Sequence, residues 1–362
     1  MRKIYLCLII LLLLTLKGFS QGCVAIRSTG GVCPMLDNPD ETDQHGDWIF
    51  NTNTRYYRSF RHFVGKQEQY QRIALGTNVI NHAFTQDISL TRVFNSRWSF
   101  SVDLPVESNT RSSLYEHGGS ERHTTSSFGI GDTRLTGYVW VFDPHKVKNI
   151  NVQFGLGLKL PTGNDNYKDY FYNTGPNGSK LLGPVDQSIQ LGDGGTGVTV
   201  EINSFYHLTK AFNLYENFYY LINPREVNGI STARGGTASS AAIANGSDVM
   251  SVPDQYMIRG GFSYSVQKFI FSAGVRDECL PVHDLIGGSN GFRRPGYIFS
   301  AEPGVVYSFK RLVIDAFVPI AILRDRTQSV PDKIKTDQTG VYTHGDAAFA
   351  DYVVNIGLSF KL

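Results

Sequence analysis

The chain has 362 residues and a formal net charge of +2 at pH 7. It contains 23 Phe, 19 Tyr and 37 Gly, but only four Met and four Cys. Because the charge balance is close to neutral, nothing in it favours binding to nucleic acid or to an acidic partner, and neither is predicted. The abundance of aromatic residues favours strands over helices.

Residues 1–20 have the order of a secretory signal peptide. Arg2 and Lys3 precede the apolar run YLCLIILLLLTL, and Gly18-Phe19-Ser20 follows before Gln21. This order predicts export and cleavage after Ser20. Cys23 raises the alternative of a lipoprotein, but Ser20 stands three positions before it where a lipidated cysteine normally has an aliphatic residue. The mature chain is therefore expected to carry no lipid anchor.

Residues 21–47 lack strand alternation and are expected to form a periplasmic or plug segment. Cys23 and Cys33 flank VAIRSTGGV, whose paired glycines could let the chain double back. In an oxidising compartment these two cysteines are predicted to form a disulfide, with two free thiols as the alternative. The acidic run DNPDETDQHGD could supply oxygen ligands for calcium, but a solvated linker is the preferred interpretation.

The rest of the chain shows a period of two. In INVQFGLGLKLPTG, residues 150–163, apolar side chains alternate with polar or small ones, as in a strand with one apolar face. Such alternation, bounded by turn residues, predicts twelve strands. They lie near 48–58, 78–93, 97–106, 128–142, 150–160, 197–208, 212–223, 255–266, 268–279, 295–308, 312–323 and 350–361. Most have the roughly ten residues that a tilted strand needs to cross a bilayer.

The connections between these strands alternate between tight turns and long segments rich in Gly, Ser, Asn and Asp. The long segments after the second strand are 107–127, 161–196, 224–254, 280–294 and 324–349. Short periplasmic turns and long extracellular loops are typical of outer-membrane barrels, and a sheet in lipid must close. We therefore predict an all-β, closed antiparallel up-and-down barrel over residues 48–362 with both termini periplasmic. Outer-membrane lipid and the barrel assembly machinery are its expected partners.

Charged residues fall mainly on the face of each strand opposite the apolar one. Glu216 is an exception without an explanation, and Pro303-Gly304 is expected to form a bulge because proline cannot donate to the ladder. The inward charges are candidates for lining a solute path, although mutual pairing in a narrow lumen is the preferred interpretation. They are Asp103, Asp132, Arg134, Lys159, Glu201, Arg259, Arg276, Glu302 and Asp315.

Two motifs also carry a family resemblance. GLKLPTG at 157–163, GIGDTRLTGYVWVF at 129–142 and the Leu-Pro pairs at 104 and 160 resemble the outer-membrane barrel family named for the meta-pathway of phenol degradation. The resemblance covers most of residues 48–362. It implies a twelve-stranded barrel and uptake of hydrophobic or aromatic compounds, and it assigns no binding residue.

Catalytic and cofactor motifs are not supported by their contexts. The G-x-S-x-G match at Ser289 precedes a predicted strand where a nucleophile elbow requires a helix. The G-x-G-x-x-G match at 192–197 also runs into a strand, so it predicts no phosphate site. Cys279 and His283 would be half of a zinc site without a second pair. The four histidines of the long loops, which are expected to be solvent-exposed, are His117, His123, His283 and His344.

The sequence thus predicts an outer-membrane channel or transporter that passively admits a small hydrophobic or amphipathic solute, aromatic compounds included. It predicts neither a cofactor nor enzymatic activity. The alternative is a structural or adhesive barrel that binds a partner through its long loops. An outer-membrane lipid or ester hydrolase is the less favoured third interpretation.

Overall fold

The computed structural model describes residues 47–362. The strands of this part, in chain order, are β1 (Trp48–Val64), β2 (Gln67–Glu68), β3 (Ile80–Val93), β4 (Trp98–Ser113), β5 (His123–Ile130), β6 (Arg134–Trp140), β7 (Ile150–Lys159), β8 (Lys168–Phe171), β9 (Leu181–Pro184), β10 (Gly197–His207), β11 (Phe212–Ile222), β12 (Val227–Ser231), β13 (Val249–Ser251), β14 (Gln255–Val266), β15 (Phe269–Leu280), β16 (Gly296–Phe309), β17 (Leu312–Phe317), β18 (Ile320–Asp325) and β19 (Ala347–Lys361). Its α-helices are α1 (Tyr70–Ala74), α2 (Ser240–Asn245) and α3 (Val330–Thr339). None of these helices is long and apolar enough to span a bilayer.

Fifteen of these strands form one antiparallel sheet that closes on itself. β1 pairs with β3 on one side and with β19 on the other. β5 and β6 follow one another along the wall across residues 131–133, β17 and β18 do so across 318–319, and β2 is a two-residue appendage of β1. The described wall therefore has the predicted twelve strands. Because it is closed, it leaves no unpaired strand edge facing lipid.

The outward face of the wall is apolar and exposed. On β7, Phe154, Leu156 and Leu158 face outward, and the Leu156 side chain is 66% exposed. Exposed aromatic side chains lie around the short-turn end: Trp48, Phe94, Trp98, Phe142, Phe212, Phe269 and Phe309. An apolar band bordered by aromatic residues is typical of barrels in lipid and unusual on soluble proteins. The chain is an outer-membrane β-barrel.

The short and long connections lie at opposite ends of the barrel, as predicted, but two strands are longer than expected. β4 and β5 remain paired from Val106↔Ile130 to Ser113↔His123, across most of the predicted loop 107–127. β1 likewise continues to Val64 and pairs with β19 through two register shifts. The sequence did not predict these extensions because strand segments at the long-loop end can be polar on both faces and so lack alternation.

The predicted bulge at Pro303-Gly304 is wrong. β16 pairs with β15 in unbroken register from Leu280↔Gly296 to Phe269↔Tyr307. Irregularities lie on the other side of β16, where the neighbouring strand is interrupted at Val318-Pro319 and the register with β18 shifts between Phe299 and Ser300. The Val318 N–H donates to the Pro303 carbonyl at 3.1 Å, and the N–H and C=O of one residue face the same neighbour in antiparallel pairing. The missing N–H of Pro303 would therefore have faced the point at which the neighbouring strand is itself interrupted.

The predicted signal peptide at 1–20 and the Cys23–Cys33 disulfide lie outside the described residues. Of the predicted segment 21–47, the structure describes Asp47, whose Oδ2 lies 2.8 Å from Lys361 Nζ. This ion pair holds the start of the described chain against the last strand of the barrel.

Candidate functional site

The structure buries the predicted inward charges to different degrees. Asp103, Arg134, Lys159, Glu201, Arg276 and Glu302 are buried, whereas Asp132, Arg259 and Asp315 are partly buried. Side chains around a wide aqueous channel would be exposed to water. At the levels of Asp103, Glu201, Arg276 and Glu302, the lumen is therefore filled by side chains.

The best-connected of these charges form a network on the inner wall. Glu302 accepts hydrogen bonds from Arg276 at 3.1 Å and from Arg259 at 3.3 Å. Arg276 also donates to Glu278 at 2.9 Å, and Arg55 reaches the same carboxylate from β1 at 2.7 Å. Since β1 and β15 are not neighbours in the wall, the bond between Arg55 and Glu278 crosses the lumen.

Amide side chains extend this network in both directions. Arg259 donates to Asn217 at 2.6 Å, Asn217 to Asn203 at 2.9 Å, and Asn203 to Gln153 at 3.2 Å. At the other end Arg55 donates to Asn355 at 3.0 Å. We call this connected set the lumen belt: Gln153, Asn203, Asn217, Arg259, Glu302, Arg276, Glu278, Arg55 and Asn355. Its charges satisfy one another, which is what buried ionised groups require.

Three other predicted inward charges lie outside the lumen belt, on β4, β6 and β10. Asp103 and Arg134 face each other across β4 and β6, and the Arg134 guanidinium lies 5.7 Å from the centre of the Tyr219 ring. The Tyr138 hydroxyl donates to Glu201 at 2.9 Å. These contacts stabilise polar groups inside the lumen.

A cavity with an empty volume of about 1000 Å³, including its solvent-open part, lies at the long-loop end of the barrel. Leu191, Leu221, Met250 and Leu280 line it and are all buried. They come from four separate elements: the connection from β7 to β10, then β11, β13 and β15. We call this space the outer cavity. Its apolar lining can be recognised only once these elements are assembled.

The charged side of the outer cavity is internally paired. Lys159 Nζ lies 3.4 Å from Asp132 and also bonds Asp193. The wall interruption at 131–133 places Asp132 there, and the Gly163 N–H donates to its carboxylate at 3.0 Å. A Cβ on Gly163 would come within 2.5 Å of the Leu191 carbonyl oxygen, which explains the glycine of the LPTG sequence. Both motifs of the family resemblance thus help to build this cavity.

A second ionic cluster connects the long loops. Asp186 accepts two hydrogen bonds from Arg294, at 2.8 and 2.7 Å. Glu116 accepts from Arg111 at 2.8 Å and from Arg234 at 2.9 Å, and Arg111 also lies 3.5 Å from Asp186. Burial opposes ionisation of both carboxyl groups, but the guanidinium groups outweigh it and lower the pKa of Asp186 and of Glu116. We call these five residues the loop clasp.

The catalytic and metal motifs that the sequence analysis did not support lie apart from one another in the structure. Ser289 lies in a connection followed by strand β16, and its hydroxyl accepts a hydrogen bond from the Asp284 N–H at 2.9 Å. His283 faces Lys333, with 3.4 Å between the nitrogens. Across residues 47–362, no group of three or more His, Cys, Asp or Glu side chains could hold a metal ion.

One loop histidine differs from its prediction. His117, expected in solvent, is fully buried. Its ring stacks on Phe171 with 5.6 Å between centroids, and its Nδ1 accepts the Tyr172 N–H at 3.0 Å. The prediction was wrong because the long loops pack against one another instead of extending into water.

Sequence reasoning left out several residues that the structure places at the site. Arg55 and Glu278 of the lumen belt stand on the polar phase of their strands, so the alternation could have identified them. Asp186 and Arg294 are 108 residues apart in unrelated loops, and no local pattern marks them as partners. The hydrogen-bonding amides likewise resemble ordinary polar strand residues.

No family profile matches the chain, and no curated protein matches it in sequence. The fold, however, is shared with solved outer-membrane barrels. A channel from Pseudomonas putida F1 matches with a TM-score of 0.58 and 11% identity, over 90% of this chain and 100% of that one. This likeness confirms the barrel architecture and concerns the fold alone.

Two further solved barrels match at lower TM-scores. The translocator domain of the autotransporter NalP from Neisseria meningitidis gives 0.44 at 11% identity, over 89% of this chain and 90% of that one. The Ralstonia pickettii toluene transporter TbuX gives 0.43 at 12% identity, over 96% and 100%. Neither supports a functional argument, and the resemblance to the phenol-pathway family stays a prediction.

Proposed function

We propose that the chain is an outer-membrane channel that passively admits a small neutral solute of apolar or amphipathic character, aromatic compounds included. The outer cavity is the observation that carries this proposal. Its lining has three acidic and three basic side chains, with Lys159 between Asp132 and Asp193, so the charges of the cavity compensate one another, and four buried apolar side chains line it as well. A largely apolar cavity with a few fixed polar groups is the usual form of a small-molecule site.

The lumen belt supports a neutral solute over an ion. Its charged members are at most 12% exposed, and each pairs with an oppositely charged neighbour. An ion entering this region would lose its hydration without finding a free partner, whereas a neutral solute avoids that cost. We therefore expect the channel to select solutes by their charge more strongly than by their shape.

Ligand-dependent stability of the purified protein tests this proposal. Toluene and benzoate form a matched pair of probes because both have one benzene ring and only benzoate is charged at pH 7. Since a ligand that binds the folded state raises its unfolding temperature, toluene should raise it by about 2 °C or more and benzoate should not. Met250→Gln keeps the length of the side chain but places an amide in the outer cavity, so it should abolish the rise in unfolding temperature with toluene.

Met257 provides a matched control for that substitution. It is also buried, packs against Tyr219 and Leu221, and does not line the outer cavity. Met257→Gln should lower basal stability while leaving the toluene shift in place. An equal response to toluene and benzoate, or an equal loss in both variants, would contradict the proposal.

Exposed apolar side chains on the long connections favour a second candidate, a barrel that binds a macromolecular partner. Leu75, Leu285 and Tyr342 are each more than 60% exposed and belong to three different connections. An adhesive barrel should keep its binding with the outer cavity blocked and lose it when these connections are shortened. A channel should show the opposite pattern, so a variant with a blocked outer cavity and a variant with shortened connections distinguish the two candidates.

A further inference from the structure

A second cavity, with an empty volume of about 620 Å³ including its solvent-open part, lies beside the outer cavity. Tyr57, Val79, Ala83, Ile298 and Phe349 line it, and all five are buried. Ala347, Ala348 and Ala350 line it as well. This space, which we call the inner cavity, has an apolar and aromatic lining that suits a small apolar molecule.

The polar groups around the inner cavity are already engaged with one another. His62 Nδ1 lies 2.8 Å from Asp346, and its Nε2 accepts the Val79 N–H at 2.8 Å. The Asn81 amide donates to the Ser59 hydroxyl at 2.9 Å. Because these bonds would have to be broken to receive an ion, the inner cavity also favours a neutral solute.

The two cavities share two lining residues, Ser188 and Arg294. Asp186 holds both of them in place. Its Oδ1 accepts the Ser188 N–H at 3.0 Å and the Ser188 hydroxyl at 2.8 Å, and the carboxylate receives both hydrogen bonds from Arg294. Arg111 lines the inner cavity but not the outer cavity, so it approaches Asp186 from the side of the inner cavity. One buried carboxylate therefore fixes the partition between the cavities.

We propose that the inner cavity is a second chamber for the same neutral aromatic solute, and that the contact of Asp186 with Arg294 is the gate between the chambers. This inference rests on the proposed function. When the contact opens, Arg294 and Ser188 are released together, and the two cavities become continuous. When it is closed, a solute in the outer cavity meets a buried ion pair.

Thiol labelling from the extracellular side tests the gate. Ser251→Cys places a thiol on the lining of the outer cavity, and Ser59→Cys places one on the lining of the inner cavity. N-phenylmaleimide is a neutral aromatic probe that alkylates thiols, and peptide mass spectrometry assigns the modified position, so the native cysteines can remain. Asp186→Asn keeps the shape of the side chain and removes the charge that holds Arg294. It should accelerate labelling at position 59 at least about tenfold and leave position 251 within about twofold, because an unpaired buried arginine is strongly disfavoured.

Asp284→Asn is the matched control. Asp284 and Arg293 form a two-bond pair in the same part of the barrel, at 2.7 and 2.6 Å, that is buried more deeply than the pair of Asp186 with Arg294, but they line neither cavity. This variant should change neither labelling rate. The gate is contradicted if Asp186→Asn folds and leaves position 59 unchanged, or if Asp284→Asn gives the same acceleration. Failure of the probe to reach position 251 would instead contradict the proposed function, so the two failures can be told apart.

Discussion

Arg259 and Arg276 lie directly opposite each other on β14 and β15, and the Glu302 carboxylate accepts a hydrogen bond from each. Two like charges in a cross-strand pair repel each other, so one buried acceptor from β16 makes the pair stable. The relationship shows why charges of both signs occupy the lumen. They fasten strands to one another across the barrel at positions that are largely buried.

Removal of the Glu302 charge should therefore destabilise the barrel. Glu302→Gln removes the carboxylate that Arg259 and Arg276 share and leaves Arg276 with Glu278, which should lower the free energy of unfolding by about 3–5 kcal/mol. Urea titration of the protein in lipid vesicles measures the difference. Glu121, which is 74% exposed and lies 3.5 Å from His123, provides the control. An equal effect of Glu121→Gln would show that Glu302 of the lumen belt contributes no more to the free energy of unfolding than an exposed carboxylate does.

Gly157, in the repeated-glycine stretch of β7, should not tolerate a side chain. A Cβ there would lie 2.4 Å from the Thr199 hydroxyl and 2.6 Å from the Thr136 hydroxyl. Gly157→Ala should lower the free energy of unfolding by about 1–3 kcal/mol through overpacking. Gly137→Ala is the control, because the nearest atom to its Cβ is at 3.9 Å. Similar unfolding midpoints for the two variants would contradict this account of the glycine.

The loop clasp should open in acid. Because the pKa values of Asp186 and Glu116 are lower in the folded protein than in the unfolded chain, the stability they contribute is fully present above the ordinary carboxyl pKa of about 4 and is lost as the pH falls through their folded values. Hydrogen exchange, corrected for its intrinsic pH dependence, should show protection at 114–118 and 185–191 falling in this acidic range. Loss of protection already above about pH 5 would contradict the assignment, since both groups are then ionised in either state.

The structure places Glu216 on the outward face of the barrel, where its charge lowers stability in lipid. It is exposed on the outward face of β11, opposite Gly260 of β14, and its one described side-chain partner is the Ser204 hydroxyl at 3.4 Å. Glu216→Leu should therefore stabilise the barrel in lipid by about 1 kcal/mol. Leu214→Glu on the same face should destabilise it. A loss of stability in Glu216→Leu would indicate that the carboxylate binds a group from outside the chain.

Much of the fold could be predicted from a period of two, because strand polarity alternates wherever one face meets lipid. The same rule could have placed Arg55 inside the barrel. It could not pair Arg55 with Glu278, since contacts across the lumen depend on how twelve strands are staggered when the sheet closes. The contact between Asp186 and Arg294 was equally hidden, because it is created by loops whose sequences have no periodicity.

Influx of a neutral aromatic probe through the outer membrane tests the central claim most directly. N-phenyl-1-naphthylamine becomes fluorescent in an apolar environment, so its rate of influx into cells with an intact outer membrane can be followed directly. We predict faster influx in cells that carry the chain than in cells that lack it, and a return to the background rate with Met250→Gln but not with Met257→Gln. Equal influx with and without the chain would contradict the claim that this barrel admits neutral apolar solutes through its outer cavity.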